Sequence, residues 1–303
     1  SKDEVNATIR EQLITLNGGS EKITDKSFRR HPELFDFLEE TLRVLVVDGL
    51  TSEFDGFAEV RDVDAGDKPV FHIPNNDLFR VATISDGNGN IRRQRIDNGE
   101  VVVDTVFRAI KVYEELSRIM AGRIDWGDFI DRVNRSYQRK ISTEVYEAIY
   151  NSFDVLNATY KVTTNDPDAI TEMAMHVEAA TDSPVALYGT KAALAKVKPS
   201  ELSQNMMDRK NETGFIGIFN GYEMREIKQV HKAGTNDFAI SNDFILAVPT
   251  LDEGIVKIVN EGEARIQENI GLDNADMSQE YLFAMKTGIS VATANAYGIV
   301  QFT

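Results

Sequence analysis

The sequence predicts an α+β fold in which one long helix joins a polar β-hairpin to a compact unit of helices and strands. Three observations support this prediction. Apolar residues recur every three or four positions through residues 124–153, polar and apolar residues alternate through 57–106, and both patterns mix through 164–250. A single long helix between two parts of such different character would act as a spine.

The composition is that of an ordinary globular protein. The 303 residues are 42% hydrophobic and 27% charged, which allows a substantial core in one large domain or two. No run approaches the ~20 apolar residues that cross a bilayer, and residues 1–20 lack the basic start and apolar centre of a secretion signal. Because there is no cysteine, disulfides, thiol catalysis and thiolate metal sites are excluded, and folding in a reducing cytoplasm is expected.

The charge balance is strongly acidic. Lysine and arginine together number 33, against 49 aspartates and glutamates, so the net charge is −16. A surface of this kind repels phosphate backbones. The sequence therefore predicts a protein that does not hold nucleic acid tightly.

Two helices are predicted before residue 57. A weak apolar stripe ends at Gly18-Gly19, and Pro32 opens a stronger helix that Gly49 is expected to stop. The stripes consist of Val5, Ile9 and Leu13 in the first helix, and of Leu34, Leu38, Leu42 and Leu45 in the second. Because this segment has few apolar residues, we expect it to pack on the body of the chain or on a neighbouring subunit.

The alternating residues 57–106 predict a long hairpin, with turn sequences at 65–67, 85–90 and 97–99. Asp-Gly and Asn-Gly pairs between alternating runs are the strongest local signal of a β-hairpin. Because this hairpin is so polar, it can bury little apolar surface. It is either a surface subdomain or a projecting arm that becomes buried only on assembly. Arg92, Arg93 and Arg95 follow its tip, either as a solvated face or as a group that docks on a neighbour's carboxylates.

The long helix is predicted over residues 124–153. The preceding residues 107–120 should pass from a strand into a helical turn with Val112, Leu116 and Ile119. Asp125 is placed to cap the long helix, which at roughly 40 Å must lie against something extended. Its apolar stripe consists of Trp126, Phe129, Ile130, Val133, Tyr137, Ile141, Val145, Ile149 and Phe153.

Residues 164–250 are predicted to form the compact unit. Asp166 caps and Pro167 opens a helix whose buried face is Ile170, Met173, Ala174 and Val177. Two shorter helices follow over 191–197, which Thr190 caps, and 199–209. Strands are predicted at 184–188, 215–219, 222–230, 238–240 and 244–248, with Asn220-Gly221 as a hairpin turn. Further strands at 255–259, 264–270 and within 280–302 close the chain.

No catalytic, cofactor-binding or metal-binding signature is present. Residues 86–90 begin like a calcium loop, but Ile91 replaces the required glycine and Asp97 the bidentate glutamate, which favours a hairpin turn. The four histidines, His31, His72, His176 and His231, lack a helical ligand spacing, and there is no phosphate loop or serine nucleophile elbow. We therefore predict no catalytic residue, no cofactor and no metal.

The order of these parts resembles the HK97-type fold of the major capsid proteins of tailed bacteriophages. Three local sequences are similar to that family as well. They are NDLFR through GNIRRQR over residues 76–95, AGRIDW over 121–126 and QEYLFAMKTG over 279–288. The resemblance spans nearly the whole chain.

The resemblance implies a division of the chain into five segments. Residues 1–56 correspond to the N-terminal arm and 57–106 to the extended hairpin called the E-loop. Residues 107–163 hold the spine helix of the peripheral domain, 164–250 form the axial α/β domain, and 251–303 return as strands of the peripheral domain.

The resemblance also implies a structural role and no enzymatic activity. Copies of the chain would form the pentamers and hexamers of an icosahedral head that encloses double-stranded phage DNA without binding it specifically. Scaffolding, portal and decoration proteins would be further partners, no membrane would be involved, and the virion would assemble in the host bacterial cytoplasm. Phe79, Arg92, Arg93 and Arg95 of the E-loop would lie at the subunit interface.

Two alternatives stay open at the level of sequence. An encapsulin-like nanocompartment uses the same fold to surround an enzyme cargo. The third interpretation is a soluble α/β hydrolase-type enzyme, with a site assembled from dispersed acidic residues and His176 or His231.

Overall fold

A computed structural model describes residues 2–23, 27, 30–54, 58–73, 99–114, 126–199, 203–232, 234–250, 254–269, 279–292 and 296–302. The helices in these ranges are α1 (Lys2–Leu16), α2 (Glu33–Glu53), α3 (Trp126–Asn151), α4 (Pro167–Thr181), α5 (Lys191–Leu194) and α6 (Gln204–Thr213). Two single turns of 3₁₀ helix follow α3, at Ser152–Asp154 and Ala158–Tyr160.

The strands form three sheets. In chain order they are β1 (Ala58–Val63), β2 (Val70–Ile73), β3 (Gly99–Val102), β4 (Thr105–Glu114), β5 (Lys161–Thr163), β6 (Val185–Gly189), β7 (Ile218–Phe219), β8 (Tyr222–Glu226), β9 (Phe244–Pro249), β10 (Val256–Asn269), β11 (Gln279–Val291) and β12 (Gly298–Gln301). A four-stranded sheet has the order β1-β10-β11-β4, a six-stranded sheet the order β5-β12-β9-β6-β8-β7, and β2 pairs with β3 alone.

The spine helix is confirmed as α3. Every residue of the predicted stripe from Ile130 to Ile149 is buried, in one core with α1, α2 and both larger sheets. At 1.5 Å per residue its 26 residues span about 39 Å. The Tyr137 hydroxyl lies within hydrogen-bond distance of two backbone carbonyl oxygens, Phe283 O at 2.7 Å and Arg108 O at 3.0 Å, and donates to them. The middle of the helix is therefore joined to β11 and β4. The predicted cap Asp125 lies outside the described residues.

The N-terminal helices pack on the body of the chain. Ile9 and Leu13 of α1 belong to the main core, as do Leu34, Leu38, Leu42, Val46 and Leu50 of α2. The expected stop at Gly49 was wrong, because α2 continues to Glu53. Gly49 lies against the spine, where an added Cβ would stand 1.7 Å from Gln138 Nε2. That amide donates to Leu45 O at 3.1 Å, so the glycine allows a close approach of two helices instead of ending one.

Two further boundaries differ from the prediction. Val112 lies in β4 and not in a helical turn, because it pairs with Tyr281 of β11. The helix predicted from Pro199 begins at Gln204, where Ser203 Oγ accepts from Met206 N at 3.4 Å. Leu116 and Ile119 lie outside the described residues.

The predicted start of α4 and the predicted turn after β7 are confirmed. Asp166 Oδ1 accepts from Asp168 N at 3.2 Å, and Pro167 is the first helical residue. Asn220 and Gly221 have φ values of 46° and 93° and connect the antiparallel strands β7 and β8. The strand predicted over 222–230 is shorter in the structure, where β8 ends at Glu226. In the strand predicted over 238–240, Phe238 forms only a single bridge, to His231.

The six-stranded sheet draws strands from three of the predicted segments. β6 to β9 come from 164–250, whereas β5 comes from 107–163 and pairs with β12 from 251–303. Because one sheet contains strands from three segments, the sheets do not mark the segment boundaries, which stay predictions. A second core lies between α4 and this sheet, and the main core joins both larger sheets to the helices.

Candidate assembly interface

The residues predicted for the interface, Phe79, Arg92, Arg93 and Arg95, lie outside the described residues, as do the calcium-like residues 86–90. The base of their hairpin is described. β2 and β3 pair antiparallel from Val70 opposite Val102 to Ile73 opposite Gly99. Residues 74–98 therefore connect two strand ends that lie side by side.

Phe71 attaches the hairpin base to the four-stranded sheet. Its ring is fully buried in a small cluster with Val103 and Val259 of β10, with Val63 and Val101 at the margin. The Arg61 guanidinium carbon lies 4.3 Å from the ring centroid and Lys257 Nζ lies 5.5 Å from it. Cations over a ring face are attracted by its quadrupole, so apolar packing and electrostatics hold the same side chain.

Glu59 balances the positive charge beneath Phe71. Lys257 is buried on β10, and its Nζ donates to Glu59 Oε2 at 2.6 Å, while Arg61 Nε donates to Glu59 Oε1 at 2.7 Å. Burial raises the pKa of Glu59, but the hydrogen bonds from Lys257 and then Arg61 outweigh it and lower the pKa overall. The buried lysine thus keeps a charged partner, as a buried charge requires.

Glu261 holds four segments together next to the hairpin. The register of β10 and β11 shifts between Glu261 and Arg265, and Gly262 adopts a φ of +74° in this bulge. Glu261 Oε1 accepts from Lys286 Nζ at 2.7 Å and from Gly66 N at 3.0 Å, and its Oε2 accepts from Thr105 Oγ1. The carboxylate therefore joins β10 to β11, to β4 and to the turn that enters the hairpin.

These contacts set the charge state of Glu261. The hydrogen bonds from Lys286, Thr105 and Gly66, in that order, lower its pKa to about 2. A carboxyl whose pKa is lowered by folding stabilises the fold above its unfolded pKa of about 4.3, and this stabilisation is lost as the pH falls to the folded value.

The Glu261→Gln variant is expected to melt at a lower temperature than the wild type at pH 7. The difference should shrink as the pH falls from about 4.5 towards 2, because the wild-type carboxylate then becomes protonated. Thermal melts of both proteins across this range measure it. Glu263→Gln is the control, since it removes the same charge from the same bulge. A difference between Glu261→Gln and wild type that does not change with pH would contradict this role.

The strands at the hairpin base expose several large apolar side chains. Val70 and Val102 face each other on the side of the hairpin opposite Phe71, and Val102 is 50% exposed. On the edge strand β4, Val106 is 54% and Phe107 65% exposed. Consecutive side chains of a strand point to opposite faces, so Val106 and Phe107 lie on different sides of β4. Isolated exposed apolar residues are common, and Phe107, the largest and at 65% the most exposed of the four, is the strongest candidate for a contact.

Beyond the hairpin base, one face of the four-stranded sheet is left uncovered by the elements that the structure describes. Tyr281, Phe283 and Met285 of β11 point towards the spine and are buried. Side chains alternate along a strand, so the intervening residues lie on the opposite face. This outer face consists of Phe107, Ala109 and Lys111 on β4, paired with Lys286, Ala284 and Leu282 on β11.

A groove of about 280 Å³ runs between this face and the hairpin turn. Phe107 and Lys286 are among its lining residues, with the Lys286 ammonium 5.2 Å from the Phe107 ring centroid. The charged residues of the remaining lining are Arg43, Arg265, Asp62, Asp64, Glu261 and Glu263. β4 also has a free edge in the described part of the chain, because its one pairing is with β11. An exposed edge, an aromatic ring and both signs of charge suit contact with another protein.

The alternative enzyme site gains no support from the described residues. His176 is exposed on α4, and the His231 ring stacks on Phe238 with centroids 5.5 Å apart. Across the described ranges, no three histidine, aspartate or glutamate side chains gather as they would around a metal ion. None of the helices described combines the length and the apolar composition that a membrane crossing requires.

Phe71, Lys257 and Glu261 were not predicted as functional residues. Phe71 falls in the alternating run 57–106 and Glu261 between the strands predicted at 255–259 and 264–270, and nothing distinguishes either residue from its neighbours. Their partners lie far away in sequence, 195 residues in the case of Glu261 and Gly66. The sequence marks this site only through Gly66, which lies in a predicted turn, and Gly262, which lies between two predicted strands.

The comparisons with known proteins support a capsid subunit. The family model described as "SPbeta prophage-derived putative capsid protein YonB" matches residues 1–301. No curated protein matches the sequence.

Solved capsid structures share the fold at low sequence identity. The capsid of the native GTA particle is 13% identical with a TM-score of 0.57, over 84% of this chain and 90% of that one. The mature capsid of bacteriophage PhiM1 is 12% identical with a TM-score of 0.55, over 82% and 86%. The capsid of cyanophage P-SCSP1u gives the same identity and TM-score, over 82% and 87%. The chain therefore belongs to the family of SPbeta prophage-derived capsid proteins and has the HK97-like fold of phage major capsid proteins.

Proposed function

We propose that the chain is a major capsid protein that assembles into the pentamers and hexamers of an icosahedral head. The observation that carries this proposal is the open outer face of the four-stranded sheet beside the hairpin base. Phe107 on this face and Val102 of the hairpin base remain at least half exposed, whereas Tyr281, Phe283 and Met285 on the spine side of the four-stranded sheet are buried. A neighbouring subunit that covers this face would bury them.

The energetics suit a shell. Fully burying one Phe or Val side chain contributes about 1.5–3 kcal/mol, and each subunit offers several such side chains with a polar rim. Binding two subunits through one such patch would be weak, because association costs at least about 4 kcal/mol of lost freedom. Repeated around a closed shell, the same contact holds every subunit on more than one side.

The contents and partners follow from this role. The head would enclose double-stranded phage DNA, with scaffolding, portal and decoration proteins as partners, and would assemble in the cytoplasm of the host bacterium. The net charge of −16 favours loose enclosure over tight binding. The chain would have no enzymatic activity. The predicted interface residues Phe79, Arg92, Arg93 and Arg95 are proposed to dock on the neighbouring subunit.

Replacing Phe107 with aspartate tests the interface. The carboxylate would be desolvated in the contact, which should cost about 2 kcal/mol or more per subunit and prevent shell formation. The control is Val155→Asp, at a 74% exposed apolar residue that lies outside this face. Sedimentation and electron microscopy should show shells for the wild type and the control only. Shells of normal yield from Phe107→Asp would exclude this face as the interface.

The same preparation distinguishes the encapsulin-like alternative. Shells purified from the natural host should contain nuclease-protected double-stranded DNA. A stoichiometric enzyme cargo in place of DNA would favour the nanocompartment.

A further inference from the structure

The exposed face of the spine helix is basic between residues 131 and 140, in an otherwise acidic protein. Between residues 131 and 140, the exposed side chains are Arg132, Arg135, Ser136, Arg139 and Lys140. Asp131 is the one acid in that stretch, so its formal charge is +4 − 1 = +3, against −16 for the chain. Such a concentration of cations needs more explanation than solubility, which the acidic remainder already provides.

The cations of this basic stripe remain accessible. Arg135 Nη2 lies 2.7 Å from Asp131 Oδ2 and Lys140 Nζ lies 3.2 Å from Glu144 Oε1, yet the side chains of Arg135 and Lys140 are 44% and 64% exposed. Exposed pairs of this kind are worth less than about 1 kcal/mol and exchange readily for other anions. Arg139 forms no ion pair with a described residue.

A cavity of about 610 Å³ adjoins the stripe. Arg135 and Arg139 line one side of it, and Lys228, which also has no ion pair within the described residues, lines the other. Two acids line the cavity as well. Glu226 pairs with Lys191 at 3.6 Å. Glu53 accepts from Ser142 Oγ at 2.8 Å, and burial raises its pKa, so its negative charge is disfavoured there.

We propose that the basic stripe Arg132, Arg135, Arg139 and Lys140, together with Lys228, contacts the phosphate backbone of the double-stranded DNA inside the shell. Arg132 and Arg139 are separated by about 10.5 Å along the helix axis. Along the DNA axis that length covers about three nucleotide steps of one strand, at 3.4 Å per step. The proposal rests on the proposed function for the presence of DNA, and it identifies the helical side of the subunit as the side facing it.

Phosphate fits this face better than an acidic protein segment does. Guanidinium groups bind phosphate oxygens through paired donors, and three of the four stripe cations are arginines. A protein partner would need apolar anchors at the centre of its contact. The exposed face between residues 131 and 140 presents none. The acidic remainder of the surface repels phosphates, so the contact with DNA stays weak and reversible.

Binding of a 30-base-pair duplex to unassembled subunits, in which the stripe is accessible, tests the proposal when it is followed by fluorescence anisotropy at increasing salt. If three phosphates are neutralised, the association constant should fall roughly 40-fold between 50 and 200 mM salt. The triple variant Arg132→Gln, Arg135→Gln, Arg139→Gln should show a much weaker salt dependence, because only Lys140 and Lys228 remain, and should bind at least tenfold more weakly at the low salt concentration. The matched control is Arg10→Gln, Lys22→Gln, Lys198→Gln, which changes the net charge equally at exposed positions outside the stripe.

Equal binding by the triple variant and the wild type, an equal loss in the control, or no wild-type binding at 50 mM salt would overturn the proposal. Polyglutamate binding as tight as DNA, lost in the same variant, would assign the stripe to an acidic protein instead. Light scattering on the same samples scores shell formation separately, so failure of assembly is distinguished from failure of DNA contact.

Discussion

Replacing Tyr137 with proline is expected to lower the free energy of unfolding of the subunit by more than about 5 kcal/mol, which is enough to unfold many domains. Proline in a helix interior costs about 3 kcal/mol or more, because it removes a backbone hydrogen bond and clashes with the preceding turn. Loss of a large buried aromatic side chain adds about 3–5 kcal/mol. Tyr137 is almost fully buried, and its hydroxyl joins the spine to β11 and β4.

Two control variants separate these contributions. Ser136→Pro, at an exposed neighbour, should cost about 3 kcal/mol through the backbone alone. Tyr137→Phe should cost about 1 kcal/mol, the worth of one hydrogen bond. Urea unfolding of the unassembled subunits, followed by circular dichroism, measures all three variants. An unchanged midpoint for Tyr137→Pro would show that the spine is not the continuous helix described.

Shortening the hairpin to its base is expected to abolish shells while leaving the subunit folded. The variant replaces residues 74–98 with Asn-Gly, which forms the two-residue turn that suits paired strand ends such as Ile73 and Gly99. Phe71, Glu59 and Lys257 are kept, so the small core beneath the hairpin remains. Closing a shorter loop costs slightly less conformational entropy. The free energy of unfolding should therefore change by less than about 1 kcal/mol.

A second variant shows why the base must be kept. Removing residues 67–99 also removes Phe71, leaves Val259 uncovered and takes away the ring beside Lys257. It should therefore lose stability by about 3–5 kcal/mol, as for other buried aromatic residues. Normal shells from the Asn-Gly variant would mean that residues 74–98 are not needed for assembly.

The sequence predicted most reliably what short stretches determine on their own. The spine helix was correct within two residues at each described end, because its stripe repeats over more than six turns. Asp166 with Pro167 and Asn220 with Gly221 were also correct, since a cap or a tight turn depends on neighbouring residues. The order of these elements was enough to indicate the fold, which the comparisons confirm.

Features that depend on distant contacts were not predicted. Gly49 carries the ordinary stop signal of a helix, and only the approach of Gln138 explains why the helix continues. Val112 follows a helical spacing with Leu116 and Ile119, yet pairing with Tyr281 makes it part of a strand. Glu261 is one acid among many until Lys286, Thr105 and Gly66 converge on it.

The interface prediction depends on residues that the structure does not describe. Arg92, Arg93 and Arg95 follow the tip of a hairpin too polar to bury itself, and Phe79 is assigned to the interface through the resemblance to the E-loop. The structure adds an exposed sheet face with Phe107, Ala109 and Leu282, which we propose as the other half of the contact and which the sequence pattern alone did not identify.

Negative-stain electron microscopy of the expressed protein, alongside light scattering, tests the central claim most directly. The account predicts closed shells tens of nanometres across, or rings of five and six subunits, either from the chain alone or on co-expression with the genes that flank it. A uniform monomer or dimer under both conditions, at high concentration, would contradict the claim that this chain is a shell-forming capsid subunit.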